Sequence, residues 1–185
     1  MKNKYLVLIG LVALSLIVLT SVALASPDSL KPAPTFPEMV RQATAQFKDV
    51  RKAEGYALLH GCVSGPQEGA MGIHFANGDL VGDGKLDVQH PEALLYEPKD
   101  GKLQLVGVEY IVMADDWNAK NKTPPVLMGQ LFNYSSAPNR FGIPAFYELH
   151  VWAWKSNPSG VFADWNPSVS CAEFVGATTM PGMSH

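Results

Sequence analysis

The chain predicts an α+β fold, with one amphipathic helix near the start of the folded part packed on a curved, mainly antiparallel β-sheet or partial barrel. Three observations carry this expectation. Only one stretch has helical apolar spacing: Met39, Val40, Ala43, Phe47, Val50 and Ala53, with Arg41, Gln42, Lys48 and Arg51 elsewhere around the wheel. Beyond Gly55 the pattern changes to short apolar or alternating runs bounded by turn residues. Between two of these runs, Pro98-Lys-Asp-Gly101 is a hairpin signal, which joins successive strands antiparallel.

The elements follow in order. Pro37 suits a helix start, because the first turn needs no backbone donor there, and Gly55 suits the stop. Expected strands are 56–63, 71–76, 93–97, 103–113, 126–134 and 145–154. Residues 103–113 are apolar on both faces, so this strand belongs in the middle of the sheet. Residues 77–90 read as a surface loop of Asp-Gly turns. Aligned from Asp79, the loop partly resembles a calcium loop, but Val81 and His90 stand where ligands are required.

Lys2 and Lys4, the apolar run 5–19 and Ala23-Leu24-Ala25 give residues 1–25 the form of a secretory signal peptide. The rival reading is a retained membrane anchor, for which the apolar run is near the lower length limit. Residues 26–37 form a Pro-rich leader, 38–171 a single domain, and 172–185 a flexible tail without periodicity. The expected location is secreted or periplasmic, with no membrane span after cleavage. Cleavage removes two lysines and no acid, leaving the chain more acidic than its formal charge of −3. With no basic cluster, nucleic acid and anionic membrane surfaces are not expected partners.

Cys62 and Cys171 are the two cysteines. In an oxidising compartment an isolated pair forms a disulfide. The alternative, a pair of thiolate metal ligands, lacks a CxxC spacing.

The segment Phe146-Tyr-Glu-Leu-His-Val-Trp-Ala-Trp154 carries the strongest chemical signal. As a strand it places Glu148, His150, Trp152 and Trp154 on one face. Two further ionisable residues sit inside apolar strands: His74 in Gly72-Ile-His-Phe75 and Glu109 in Gly107-Val-Glu-Tyr110. The neighbouring glycines leave space beside them. Glu109 is expected to share a face with Leu103, Leu105 and Ile111, where a lone carboxylate would cost several kcal/mol unless paired or coordinated. His74 and His150 are its natural partners. Two imidazoles with one or two carboxylates form a set that binds Zn, Mn, Fe or Cu, and an open position on such a metal can activate water. Within that set Glu148 would orient an imidazole. The same residues also fit a structural network of buried hydrogen bonds.

Met180, Met183 and His185 in the tail offer soft ligands suited to copper, or are simply an irregular chain end. The indoles Trp117, Trp152, Trp154 and Trp165 are either packing residues or a stacking surface for a ligand. No nucleophile elbow or phosphate-binding glycine loop is present.

The motifs Gly69-Ala-Met-Gly-Ile-His74, Pro91-Glu-Ala-Leu-Leu-Tyr-Glu-Pro98, Val106-Gly-Val-Glu-Tyr110, and Tyr147-Glu-Leu-His-Val-Trp-Ala-Trp-Lys155 through Trp165-Asn-Pro-Ser-Val-Ser-Cys171 resemble a family of secreted bacterial proteins of unknown function. The resemblance spans about residues 40–171. It implies a single extracytoplasmic domain and supplies no activity. The functional expectation is therefore a polar pocket for a divalent metal or small polar ligand. The alternatives are a non-catalytic interaction or structural module of the envelope, and copper handling through the tail.

Overall fold

The computed structural model describes residues 32–175, so the signal peptide, residues 26–31 of the leader, and Met180, Met183 and His185 lie outside the described residues. The first element is α1 (Phe36–Thr44). Pro37 lies in its first turn, and the Thr35 amide donates to the Glu38 carboxylate at 2.7 Å. The long helix expected from apolar spacing does not continue past Thr44. Two 3-10 turns follow, at Ala45–Lys48 and Val50–Lys52. Thr44 is the break point: its hydroxyl bonds back to the Val40 carbonyl and accepts from the Trp154 indole N–H.

The strands are β1 (Ala57–Ser64), β2 (Ala70–Ala76), β3 (Ala93–Lys99), β4 (Lys102–Met113), β5 (Val126–Leu127), β6 (Gln130–Leu131), β7 (Asn133–Ser135) and β8 (Phe146–Val151). Six of them form an antiparallel sheet in the order β1-β2-β3-β4-β8-β7, strongly curled into a half-barrel. This is the expected α+β architecture, with β4 inside the sheet. At the β3–β4 hairpin, Asp100 and Gly101 have φ of 52° and 67°, the conformation that favours Asp-Gly in a two-residue turn. The expected strand at 126–134 is broken. Met128 and Gly129 turn it into the separate β5–β6 hairpin before β7 joins the main sheet. Two short helices also form: α2 (Gly78–Asp83), within the segment expected as a surface loop, and α3 (Ala114–Asn118), directly after β4. In α2 the Asn77 side chain caps the Asp79 and Leu80 amides.

The sheet buries both faces. The larger core unites α1, through Phe36 and Val40, with Ile73, Phe75, Leu94, Tyr96, Val108, Tyr110, Leu149 and Val151. The opposite face carries two smaller apolar clusters: Ala70, Leu95, Val106, Trp152 and Val169 in one, Ala93, Ile111 and Phe146 in the other. Cys62 and Cys171 form a disulfide that ties β1 to the C-terminal segment across 109 residues. Closing a loop of that length contributes about 4–5 kcal/mol in the chain-entropy account. Packing continues past Cys171: Glu173 accepts from the Asp100 amide, and Phe174 lies against Gly61. Among the described residues no helix is long and apolar enough to cross a membrane.

Alternation fails at two places that bear on the site. In β4, Leu95 pairs with Gly107 and Tyr96 with Leu105, leaving Val106 as an extra residue. This bulge reverses the phase, so Leu103 and Leu105 pack in the larger core rather than beside Glu109. At the end of β8 the strand stops at Val151, and the amides of Trp154 and Lys155 both donate to the Val106 carbonyl. Trp152 stays on the His150 side, whereas Trp154 crosses to the larger core. The four-residue face expected for this segment therefore ends at Trp152.

Candidate metal centre

β2, β4 and β8 bring His74, Glu109 and His150 together on the face opposite α1. Glu109 and His150 are direct cross-strand partners. His74 reaches Glu109 across β3, which presents Ala93 opposite Glu109 and Leu95 opposite His74. Each of the three offers one ligand atom, and these atoms lie within 4.8 Å of one another. The group can hold a metal ion. Its side chains are sealed from solvent, with exposures of 2% for His74, 3% for Glu109 and 0% for His150.

The distances within the group are informative. His74 Nε2 is 3.6 Å from Glu109 Oε2, and His150 Nδ1 is 3.6 Å from Asp164 Oδ1. Both separations exceed a hydrogen bond. Both nitrogens of His74 and both of His150 are buried without a hydrogen-bond partner. An unsatisfied buried polar atom costs about 1–3 kcal/mol, so a purely structural network would leave several such penalties standing. Two ligand atoms each about 2.0–2.1 Å from a tetrahedral cation sit roughly 3.4 Å apart, close to the separation of His74 and Glu109.

Electrostatics point the same way. Burial, followed by the neighbouring His150, lowers the His74 pKa to about 3, so the imidazole is neutral with a lone pair to offer. Burial pushes the Glu109 carboxyl well above its usual range, and the nearby Glu148 carboxyl adds to the effect. A divalent cation reverses that balance by favouring the carboxylate.

Glu148 lies beside the trio and is buried. One of its oxygens accepts from the Ser135 hydroxyl at 2.9 Å. The residue facing the His150 imidazole is instead Asp164. Burial alone would raise the Asp164 carboxyl, but His150 and the Asn133 amide outweigh burial and hold it below its usual range. Asn133 Nδ2 donates to Asp164 Oδ1 at 2.8 Å, fixing the carboxylate in place. Asp164, a residue not singled out from the sequence, is thus a second carboxylate close to the His150 imidazole besides Glu148. It was missed because it lies in an irregular segment without periodicity. His60 was also missed. It pairs with His74 across the β1–β2 ladder, and its signal was the same as that of His74: an imidazole in mid-strand beside a glycine.

The small residues play different parts from those expected. Gly72 has φ of 92°, and a Cβ there would stand 2.6 Å from the Tyr96 carbonyl oxygen. Its role is close backbone approach rather than space for a ligand. A Cβ on Gly107 would meet the Val151 carbonyl and the Trp152 indole, so Trp152 fills that space. The indole lies alongside the trio, with its ring stacked 6.1 Å from His150 and its N–H bound to the Ala163 carbonyl. Another buried carboxylate, Glu97, pairs with Lys155 and accepts from the Ser170 amide, which anchors the C-terminal segment to β3.

No protein-family model, curated protein or solved structure matches the chain.

Proposed function

We propose that this protein is an extracytoplasmic metal-binding domain in which His74, His150 and Glu109 ligate a divalent transition metal, one of Zn, Mn, Fe or Cu. The observation that carries the reading is convergence. Three ligating side chains from three strands meet within 4.8 Å, and four of their imidazole nitrogens are buried with no other partner. Nitrogen and carboxylate donors without thiolate suit these ions. Three protein ligands leave a tetrahedral ion one open position for water or a small polar ligand. Asp164 faces His150 Nδ1 at 3.6 Å and would orient the ring around a bound ion, with Glu148 buried beside the trio. The Cys62–Cys171 disulfide supports the extracytoplasmic location.

The test is metal content of the purified chain, wild type against His74→Ala, together with thermal shifts on adding each ion. A metal-free wild type with no shift from Zn, Mn, Fe(II) or Cu overturns the reading. At an ion concentration 100 times Kd, binding stabilises by about 2.7 kcal/mol, enough to register clearly.

A second reading, an interaction module of the envelope, draws on one surface feature. Val126 and Leu131 pair across the β5–β6 hairpin and are exposed, as are Met128 and Tyr134. It predicts that Glu109→Gln lowers stability but leaves any ligand binding intact.

A further inference from the structure

The metal reading leaves open how a cation reaches ligands that are almost fully enclosed. One imidazole is placed to answer this. His60 lies opposite His74 on β1, and the β1–β2 register shifts on both sides of it, between Leu58 and His60 and between His60 and Cys62. Such irregularities re-aim a side chain out of the regular pleat. His60 is half-buried, so part of it reaches solvent, yet its Nε2 is buried with no hydrogen-bond partner. Among the described histidines it is the only one of this intermediate kind: His74 and His150 are buried and His90 is exposed.

A single aromatic ring links His60 to the interior. The Phe141 ring lies 5.2 Å from His60, 6.2 Å from His74 and 5.9 Å from Phe146. Phe141 belongs to a connecting segment rather than a strand. Asn139 holds that segment, its amide donating to the Ser136 and Ile143 carbonyls and its Oδ1 accepting from the Phe141 amide. Arg140 also lies over the Trp165 ring, so the segment is held from both sides of Phe141, but the Phe141 ring itself is outside the strand ladder and can swing aside without disturbing the sheet.

We propose that His60 is the loading station of the buried centre: it captures a divalent cation from solvent and passes it to His74, with Phe141 as the movable cover. The inference rests on the metal reading above. His60 is not one of the trio whose ligand atoms converge, so its role is transfer rather than retention. An imidazole suits transfer because it replaces one water of the hydrated ion while leaving the others to be shed in later steps.

A relay changes rates in both directions and leaves the equilibrium alone. The experiment uses Co(II) and Zn(II) with the purified, chelator-stripped chain. Association is followed by stopped-flow absorbance, and dissociation by transfer to a chromophoric chelator. For His60→Ala, both rate constants are expected to fall about tenfold or more, with Kd nearly unchanged. Phe141→Ala is expected to raise both, and circular dichroism confirms that each variant is folded. Unchanged rates in His60→Ala, with a wild type that loads normally, overturn the loading role alone. A loss of affinity in His60→Ala as large as that in His74→Ala also overturns it, because His60 would then be a ligand. A wild type that takes up neither ion overturns the metal reading together with this one.

Discussion

His74 and Glu109 meet across an intervening strand, Nε2 to Oε2 at 3.6 Å, although β3 separates the strands that carry them. The contact is possible because β3 presents only a methyl group, Ala93, opposite Glu109. Both partners are buried, and the distance is too long for a hydrogen bond and suited to a shared cation.

Glu109→Gln tests the carboxylate directly. Gln keeps the shape but loses the charge that offsets a divalent ion. Metal affinity is expected to fall by about 100-fold or more, the loss of a ligand exceeding the 10–100-fold typical of residues that only orient one. The metal-free variant should be at least as stable as wild type, since burial already disfavours the charged form of Glu109. Isothermal titration and urea unfolding measure the two effects; equal affinities for wild type and variant would remove Glu109 from the ligand set.

Asp164→Asn tests orientation. Asn can retain the Asn133 contact but loses the negative charge beside His150 Nδ1. Affinity is expected to drop by about 10–100-fold with stoichiometry retained. An affinity equal to wild type would assign Asp164 to loop structure alone.

Ala93→Leu tests the space over β3. Ala93 is fully buried, so the larger side chain must enter the gap beside Glu109. Overpacking costs about 1–3 kcal/mol, and metal uptake should be lost while the far-ultraviolet circular dichroism is preserved. Full metal loading in a folded Ala93→Leu protein would contradict the placement.

The metal-free protein has opposing pH dependences. His74 has its pKa lowered from 6.5 to about 3, chiefly by burial. Between those values the unfolded chain binds a proton that the native state does not, so this contribution to stability is lost as pH falls through the window. Glu92 is the reverse case: burial raises its pKa from 4.5 to about 8. There the native state holds the proton and the unfolded chain releases it, so stability falls as pH rises from 4.5 to 8. Glu92→Gln can still accept from the Ile111 amide and should flatten the alkaline fall, raising the urea midpoint at pH 8. A wild-type midpoint that does not decline between pH 6 and pH 8, or a decline unaltered by Glu92→Gln, would refute this.

Much of the candidate centre is legible in the sequence. An ionisable residue in an otherwise apolar strand is conspicuous wherever the strand lies, and His74, Glu109 and His150 each had that mark. The two cysteines and the Pro98–Gly101 turn were equally local signals. Glu148 carried the mark too, yet the residue facing the imidazole is Asp164, whose irregular loop has no period to betray its direction.

By itself, the sequence determined where the long strands lie, which side chains are chemically out of place among apolar neighbours, and that one helix precedes a mainly antiparallel sheet. These are properties of a few adjacent residues, set by turn chemistry and side-chain alternation. Tertiary structure decided the rest. Pairing register across β2, β3, β4 and β8 determined that the three side chains share one small volume. The extra residue at Val106 moved Leu103 and Leu105 to the other face. Thr44, bonded to Trp154 from 110 residues away, ended the helix that its own spacing would have continued. Each depends on partners distant in the chain, and only the folded sheet brings those partners into contact.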